Sequence, residues 1–367
     1  MGDPDISPSQ LKEWFNKDRY RSIADGLSEV APAFDRNHFL KLTTVGLDER
    51  SLMERLRQTS IAFEASLSGS YRSKVGVLRR FAPRIDHGFV GIFLSNYVAQ
   101  FGLDDPEFSL EALREFTRFG SAEFAVRLFL VRDQEKTLAT MLRWTKDRDE
   151  HVRRLSSEGC RPRLPWGLRL QSLVRDPSPL SPIIETLKDD ESLYVRKSVA
   201  NNLNDITKDH PDWVLSRLNG WNLEAPNSSW IAKRACRTLI KRGHPKALEL
   251  FGFGNKPDVK VSFDLSPQRL TLGAVLTLDM RVVSTARTPQ RLVVDYAIHY
   301  IKANGGSFPK VFKWSELNLA PGEAVHLTKR QVIRDFTTRT HYEGRHVVAV
   351  QINGKKLAEG IFHLSSK

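Results

Sequence analysis

The chain has 367 residues, 40% hydrophobic and 27% charged, which suits a globular protein with room for two ordinary domains. Its formal net charge of +13 and pI of about 9.8 point to a polyanionic partner, DNA, RNA or an anionic membrane; the plain alternative is a merely basic soluble protein. No run approaches the roughly 20 apolar residues that span a bilayer. The N-terminal MGDPDISPSQ lacks an apolar signal core, and Ile6 stands where a myristoylation motif needs Ser or Thr, so a cytoplasmic protein off the membrane is expected. Two cysteines, Cys160 and Cys236, with no CxxC, speak against a disulfide framework or zinc cluster and fit a reducing compartment.

In chain order, RFGSAEFAVRLFLVRD (118–133) predicts a helix with Ser121 as N-cap, Glu123 in the first turn and a Glu123–Arg127 pair at i,i+4. A repeat follows. DEHVRRLSSEG (149–159) aligns with SLYVRKSVANN (192–202), 43 positions later, and SSWIAKRACRTL (228–239) reads as a third copy. Each follows a shorter apolar helix: LATMLRWTKD, PIIETLKDD or DWVLSRLN. Helix pairs with a period near 40 predict a HEAT-like solenoid whose second helices share one concave face. After FGFGNKPD, the expected linker, the period falls to two: Val259 to Leu265, Leu276 to Val282 and Leu292 to Tyr300 alternate, and Asn353-Gly354 predicts a hairpin. The reading is a two-domain chain: an all-α helical-repeat solenoid at 1–252, then an all-β immunoglobulin-like sandwich at 257–367 with seven or so strands. The sandwich holds 16 Lys+Arg against 9 Asp+Glu, so it either touches the polyanion, through Lys302–Lys310 and Arg339–Arg345, or is a soluble appendage.

The segment RRLSSEGCRPRLPWG (153–167) carries the strongest local signal: four arginines, one acid and one tryptophan. The repeat register puts Glu158 and Asn201 at equivalent positions, and Asp205 one turn beyond Asn201 on the same face. Arg154, Glu158 and Arg161 then line one strip. Two readings of Glu158 stand: an ordinary Arg154–Glu158 helix pair, or an acid aimed at a cationic substrate. Asp205 likewise reads as a helix-end acid or as part of the strip. Trp166 sits on a short connection stiffened by Pro162 and Pro165, either as a core wedge or as an aromatic platform beside Arg161 and Arg163. No phosphate-cradling glycine loop, HExxH, deaminase or nucleophile-elbow motif is present, and His151 has no second ligand at metal spacing.

EFAVRLFL (123–130), HVRRLSSEGCRPRLPWG (151–167) and YVRKSVANNLNDITKDHP (194–211) resemble the AlkC branch of the AlkC/AlkD DNA alkylation repair family, and the β-rich tail resembles the immunoglobulin-like domain that many AlkC proteins carry. The resemblance implies a monofunctional DNA glycosylase that removes cationic alkylated bases, 3-methyladenine and 3-methylcytosine, without flipping them. It implies that Glu123, Glu158, Trp166 and Asp205 form the active site, with no metal and no cofactor. A sugar approaching an oxocarbenium ion is what such carboxylates would stabilise, while one orients water. Double-stranded DNA carrying alkylated bases is the implied partner of a monomeric protein at the bacterial nucleoid. Arg154, Arg161, Arg163, Arg196, Lys197, Asn201, Lys208, Lys233, Arg234 and Arg237 are the expected DNA contacts. The competing reading is a non-catalytic helical-repeat scaffold that binds nucleic acid or protein.

Overall fold

The computed structural model describes residues 11–254, 256–336 and 340–365. The N-terminal stretch read for targeting, Asn255 of the expected linker and Arg339 lie outside the described residues. Helices run in the order α1 (Lys17–Val30), α2 (Arg36–Thr44), α3 (Leu52–Ala65), α4 (Tyr71–Phe81), α5 (Gly88–Phe101), α6 (Pro106–Phe116), α7 (Val126–Arg132), α8 (Gln134–Trp144), α9 (Glu150–Glu158), α10 (Gln171–Arg175), α11 (Ser181–Leu187), α12 (Leu193–Ile206), α13 (Pro211–Asn219), α14 (Pro226–Ala235), α15 (Arg237–Lys241) and α16 (Pro245–Leu250). Contacts divide the chain into two units, Met1–His210 with Asn222–Ala235, and Pro211–Trp221 with Cys236–Lys367.

The first unit is the helical-repeat body. Its repeat is visible atom by atom. Asp149 caps α9 by accepting from the His151 amide at 2.8 Å, and Ser192, 43 residues later, caps α12 through the Tyr194 amide at 3.2 Å. Arg153 donates to the carbonyls of Asp147 and Arg148, and Arg196 donates in the same way to Asp190 and Glu191. Arg153 also reaches forward to the Asp190 carboxylate at 2.8 Å, which ties one repeat to the next. As a result α9 packs on α12 and α12 on α14, so the second helices form one row. Asn202 donates back to Ser157 O at 2.9 Å and Asn204 forward to Ala235 O at 2.7 Å, satisfying buried carbonyls on both sides of α12. Upstream, α5 is buried almost all round. A Cβ on Gly120 would lie 2.4 Å from the Gly91 carbonyl carbon, so two glycines let the segment entering the site lie directly on α5.

The second unit is built on two sheets. One is β1 (Val259–Ser266), β3 (Val275–Ser284) and β6 (Ala324–Val332), in the order β1-β3-β6. The other contains β2 (Arg269–Thr271), β4 (Gln290–Ile301), β5 (Ser307–Leu319), β7 (Gly344–Ile352) and β8 (Lys355–Ser365), in the order β2-β8-β7-β4-β5. Leu276, Leu278, Met280 and Val282 of β3 meet Leu292, Val294, Tyr296 and Ile298 of β4 in the core between them. The β7–β8 turn is the expected Asn353-Gly354, with φ of 46° and 72°. Two readings shift. β4 is not half-buried: Val293, Asp295 and Ala297 are covered as well. The expected linker is not free either, because Phe253 is buried beneath Arg291. The physical reason is shared. Helices α15 and α16 belong to this unit; α15 packs on β5, and Gly243 presses against Gly354, closing the outer face of the larger sheet. The unbroken apolar run LVV and AI around Asp295 is the pattern of a strand buried on both faces.

Candidate active site

Three segments of the first unit converge: the turn before α7, the C-terminal end of α9 with the loop that follows, and α12. Glu123 stands in a turn and not in a helix, because α7 starts only at Val126. The expected Glu123–Arg127 pair therefore does not form. Glu123 instead accepts from the Ser121 hydroxyl at 2.8 Å and from Arg154 at 2.5 Å. Arg154 lies 3.4 Å from Glu158, and its guanidinium stacks 4.9 Å from the Tyr194 ring. Arg161 donates to Glu158 at 2.6 Å and to Asp205 at 2.8 Å, and Lys208 closes the row 3.0 Å from Asp205. The result is an alternating ladder: Glu123, Arg154, Glu158, Arg161, Asp205, Lys208.

Most of the ladder is out of water. Glu158 is 5% exposed, Asp205 4% and Arg161 7%. Burial alone would disfavour the guanidinium charges, but the flanking carboxylates outweigh it and hold the pKa of Arg154 and Arg161 above the ordinary arginine value. The oxygens are not equivalent. Glu158 meets both arginines with Oε1, and Glu123 meets Ser121 and Arg154 with Oε2. Glu158 Oε2 and Glu123 Oε1 keep no partner among the described residues. Both oxygens of Asp205 are occupied, one by Arg161 and one by Lys208. Two carboxylates are thus fixed with one oxygen uncommitted, and the third braces Arg161.

Trp166 is 68% exposed with φ 61°, so it is not a core wedge. A left-handed backbone under an indole is strained, and its neighbours must hold it there. Of the expected DNA contacts, Arg154, Arg161, Arg163, Arg196 and Lys208 are each engaged within the protein. Arg154 and Arg161 are held in the ladder by carboxylates, which argues against their reading as direct phosphate ligands. Arg196 gives one Nη to carbonyls of its own loop. Arg163 pairs with Asp209 through two 2.8 Å bonds and stays half-buried at the surface. Lys197 and Asn201 lie partly exposed on α12, and Lys208 is exposed. Lys233 and the exposed Arg234, stacked on Trp230, are on α14, whereas Arg237 falls in the second unit. The sequence reading missed Arg169, exposed three residues after Trp166 with no ion pair among the described residues, and Ser121, Arg127 and Tyr194 as supports. Arg169 lies two residues past the motif boundary; the others needed the fold. No group of three or more His, Cys, Asp or Glu among the described residues is placed to hold a metal ion, and no described helix is long and apolar enough to cross a membrane.

Residues 116–239 match the family described as "DNA alkylation repair enzyme", and residues 260–366 match "Uncharacterised protein YhaZ, C-terminal Ig-like domain". The chain is 41% identical to YhaZ of Bacillus subtilis (strain 168) over 349 residues, covering 95% of this chain and 97% of that one. It is also similar to the solved structure of Pseudomonas fluorescens alkylpurine DNA glycosylase AlkC bound to DNA containing an abasic site analog, with 50% identity, TM-score 0.95 and coverage of 97% and 99% of the two chains. The chain belongs to the DNA alkylation repair family, in the AlkC branch that joins helical repeats to an Ig-like domain.

Proposed function

We propose that this protein is a monofunctional DNA glycosylase of base excision repair, acting as a monomer on double-stranded DNA in the bacterial cytoplasm and nucleoid. Its substrates are cationic alkylated bases, 3-methyladenine and 3-methylcytosine. By the change from helix to strand we divide it into a glycosylase domain at 1–252 and an Ig-like domain at 257–367, with α15 and α16 of the former packing as part of the sheet unit. The observation that carries the reading is the pair of uncommitted oxygens, Glu158 Oε2 and Glu123 Oε1, held by a shared arginine. A DNA-bound AlkC at 50% identity supports the same reading.

The chemistry follows from charge. In a ring-alkylated base the C1′–N bond breaks with its electron pair passing to the base, which leaves neutral. No general acid and no cofactor is needed for that departure. The sugar left behind approaches an oxocarbenium ion. Carboxylate oxygens facing it stabilise the developing charge and orient water, whose oxygen bonds to C1′ while its proton passes to a carboxylate or to solvent. Trp166 offers its π-face to a cation. Because charge on the base replaces protonation, and no acid has to reach a leaving group deep in a pocket, the base need not be flipped; neutral lesions are correspondingly poor substrates. The test is release of free 3-methyladenine from methylated duplex. The wild type releases it, and Glu158→Gln loses roughly 10²–10³-fold in single-turnover rate, as for removal of one electrostatic group, while still binding DNA. Undiminished release by the variant refutes the role of Glu158, and no release by the wild type refutes the glycosylase.

A further inference from the structure

We propose that Arg127 is the positioning residue for the active-site loop, residues 159–168: it sets where Arg161 and Trp166 stand. The proposal rests on the glycosylase reading above. Arg127 lies on α7, is fully buried, and meets no carboxylate at ion-pair distance among the described residues. Every nitrogen of its guanidinium donates to one loop. Nη1 donates to Gly159 O at 2.9 Å and Arg161 O at 2.8 Å, and Nε to Leu168 O at 2.6 Å, with Nη2 on the same Leu168 carbonyl. One planar cation therefore fastens both ends of the segment that carries Arg161 and Trp166.

Burying a guanidinium among carbonyls is costly, and burial pulls its pKa down to about 10. A hydrophobic side chain would fill the space without that cost but would leave three carbonyls unsatisfied. Lysine, a point charge, does not span both ends. The fit is close: a Cβ on Gly167 would sit 3.3 Å from Arg127 Nε and 3.0 Å from Leu164 Cδ2. Trp166, next in line, is held at φ 61°, a conformation that an indole keeps only when its flanks are fixed. Through Arg161 the same clamp sets the partner of Glu158 and Asp205.

The experiment compares single-turnover release of 3-methyladenine by wild type, Arg127→Lys, Arg127→Met, Trp166→Ala and the Arg127→Met/Trp166→Ala double variant. Thermal melts and affinity for undamaged duplex are read alongside. Arg127→Met should slow the chemical step about 10²-fold, the scale of an ångström-level misplacement, with undamaged-duplex affinity nearly unchanged. Arg127→Lys should not rescue it. The two changes should be strongly non-additive, because both act through the same loop. With fluorotryptophan incorporated, the ¹⁹F resonance missing from Trp166→Ala should broaden in Arg127→Met while the other indoles stay put. Additive losses, full rescue by lysine or an unchanged Trp166 resonance would overturn the proposal with the glycosylase reading intact. A wild type that releases no base overturns both. Should Arg127→Met not fold, Gly167→Ala presses on the same guanidinium from the loop side; a wild-type rate in that variant also overturns the clamp.

Discussion

At the scale of single residues, the site separates acids with an oxygen left over from an acid with both oxygens engaged. Glu158 and Glu123 each keep one oxygen uncommitted, and Asp205 keeps none. Asp205→Asn is therefore expected to slow base release less than Glu158→Gln in the same single-turnover assay; equal losses would put Asp205 in contact with the sugar. Trp166 allows a separate test. Its left-handed backbone costs roughly 1–2 kcal/mol, which glycine does not incur. Trp166→Gly and Trp166→Ala should lose activity alike, since both lack the indole, but only the glycine variant should recover stability in denaturant melts. Wild-type rates in the alanine variant would remove the indole from the chemistry. The basic motif at 153–167 was legible because its run of arginines marks it. The pairing of Glu123 with Arg154 was not, because the expected i,i+4 geometry presupposes a helix that begins three residues later.

At the scale of elements, the repeat was legible from the 43-residue offset and is reproduced in the caps and in the Arg153 and Arg196 staples. The inner face of strand β4 was read correctly from its alternation, but its cover by α15 and α16 came only with the fold. That cover has an energetic consequence at Asp295. Burial raises its pKa to about 6, against the pull of Lys241 and Lys313. The folded pKa thus exceeds the unfolded value of about 3.9, so the folded state binds the extra proton between them. The stability associated with the neutral acid is complete below about pH 4 and is lost as pH rises through 6. Two pKa units correspond to about 3 kcal/mol. Asp295→Asn is expected to melt at higher temperature than wild type at pH 7 and to lose the decline between pH 4 and 6. Parallel pH–stability curves would show that Asp295 is not the titrating group.

At the scale of the whole molecule, the net charge of +13 is the signal that survives every correction. The structure redistributes the work among the cations. Arg161, buried between acids, should leave the salt dependence of DNA binding unchanged when replaced by alanine. Arg169 and Lys197, exposed or partly exposed and unpaired among the described residues, should each reduce the slope of log K against log salt by about one. Titrations of duplex binding across salt concentrations distinguish them. A reduced slope for Arg161→Ala would mean that the ladder opens on DNA.

The sequence by itself was enough for the fold class, the repeat and the family resemblance, because periodicity, helix-end chemistry and long ungapped motifs are local properties of the chain. What only the tertiary structure decided is which cation faces which acid and which oxygen is left over. Those assignments join residues 31 and 44 positions apart, as in Arg154–Glu123 and Arg161–Asp205. A guanidinium in isolation reads as a phosphate ligand. Burial and the geometry of its neighbours turn it into a brace.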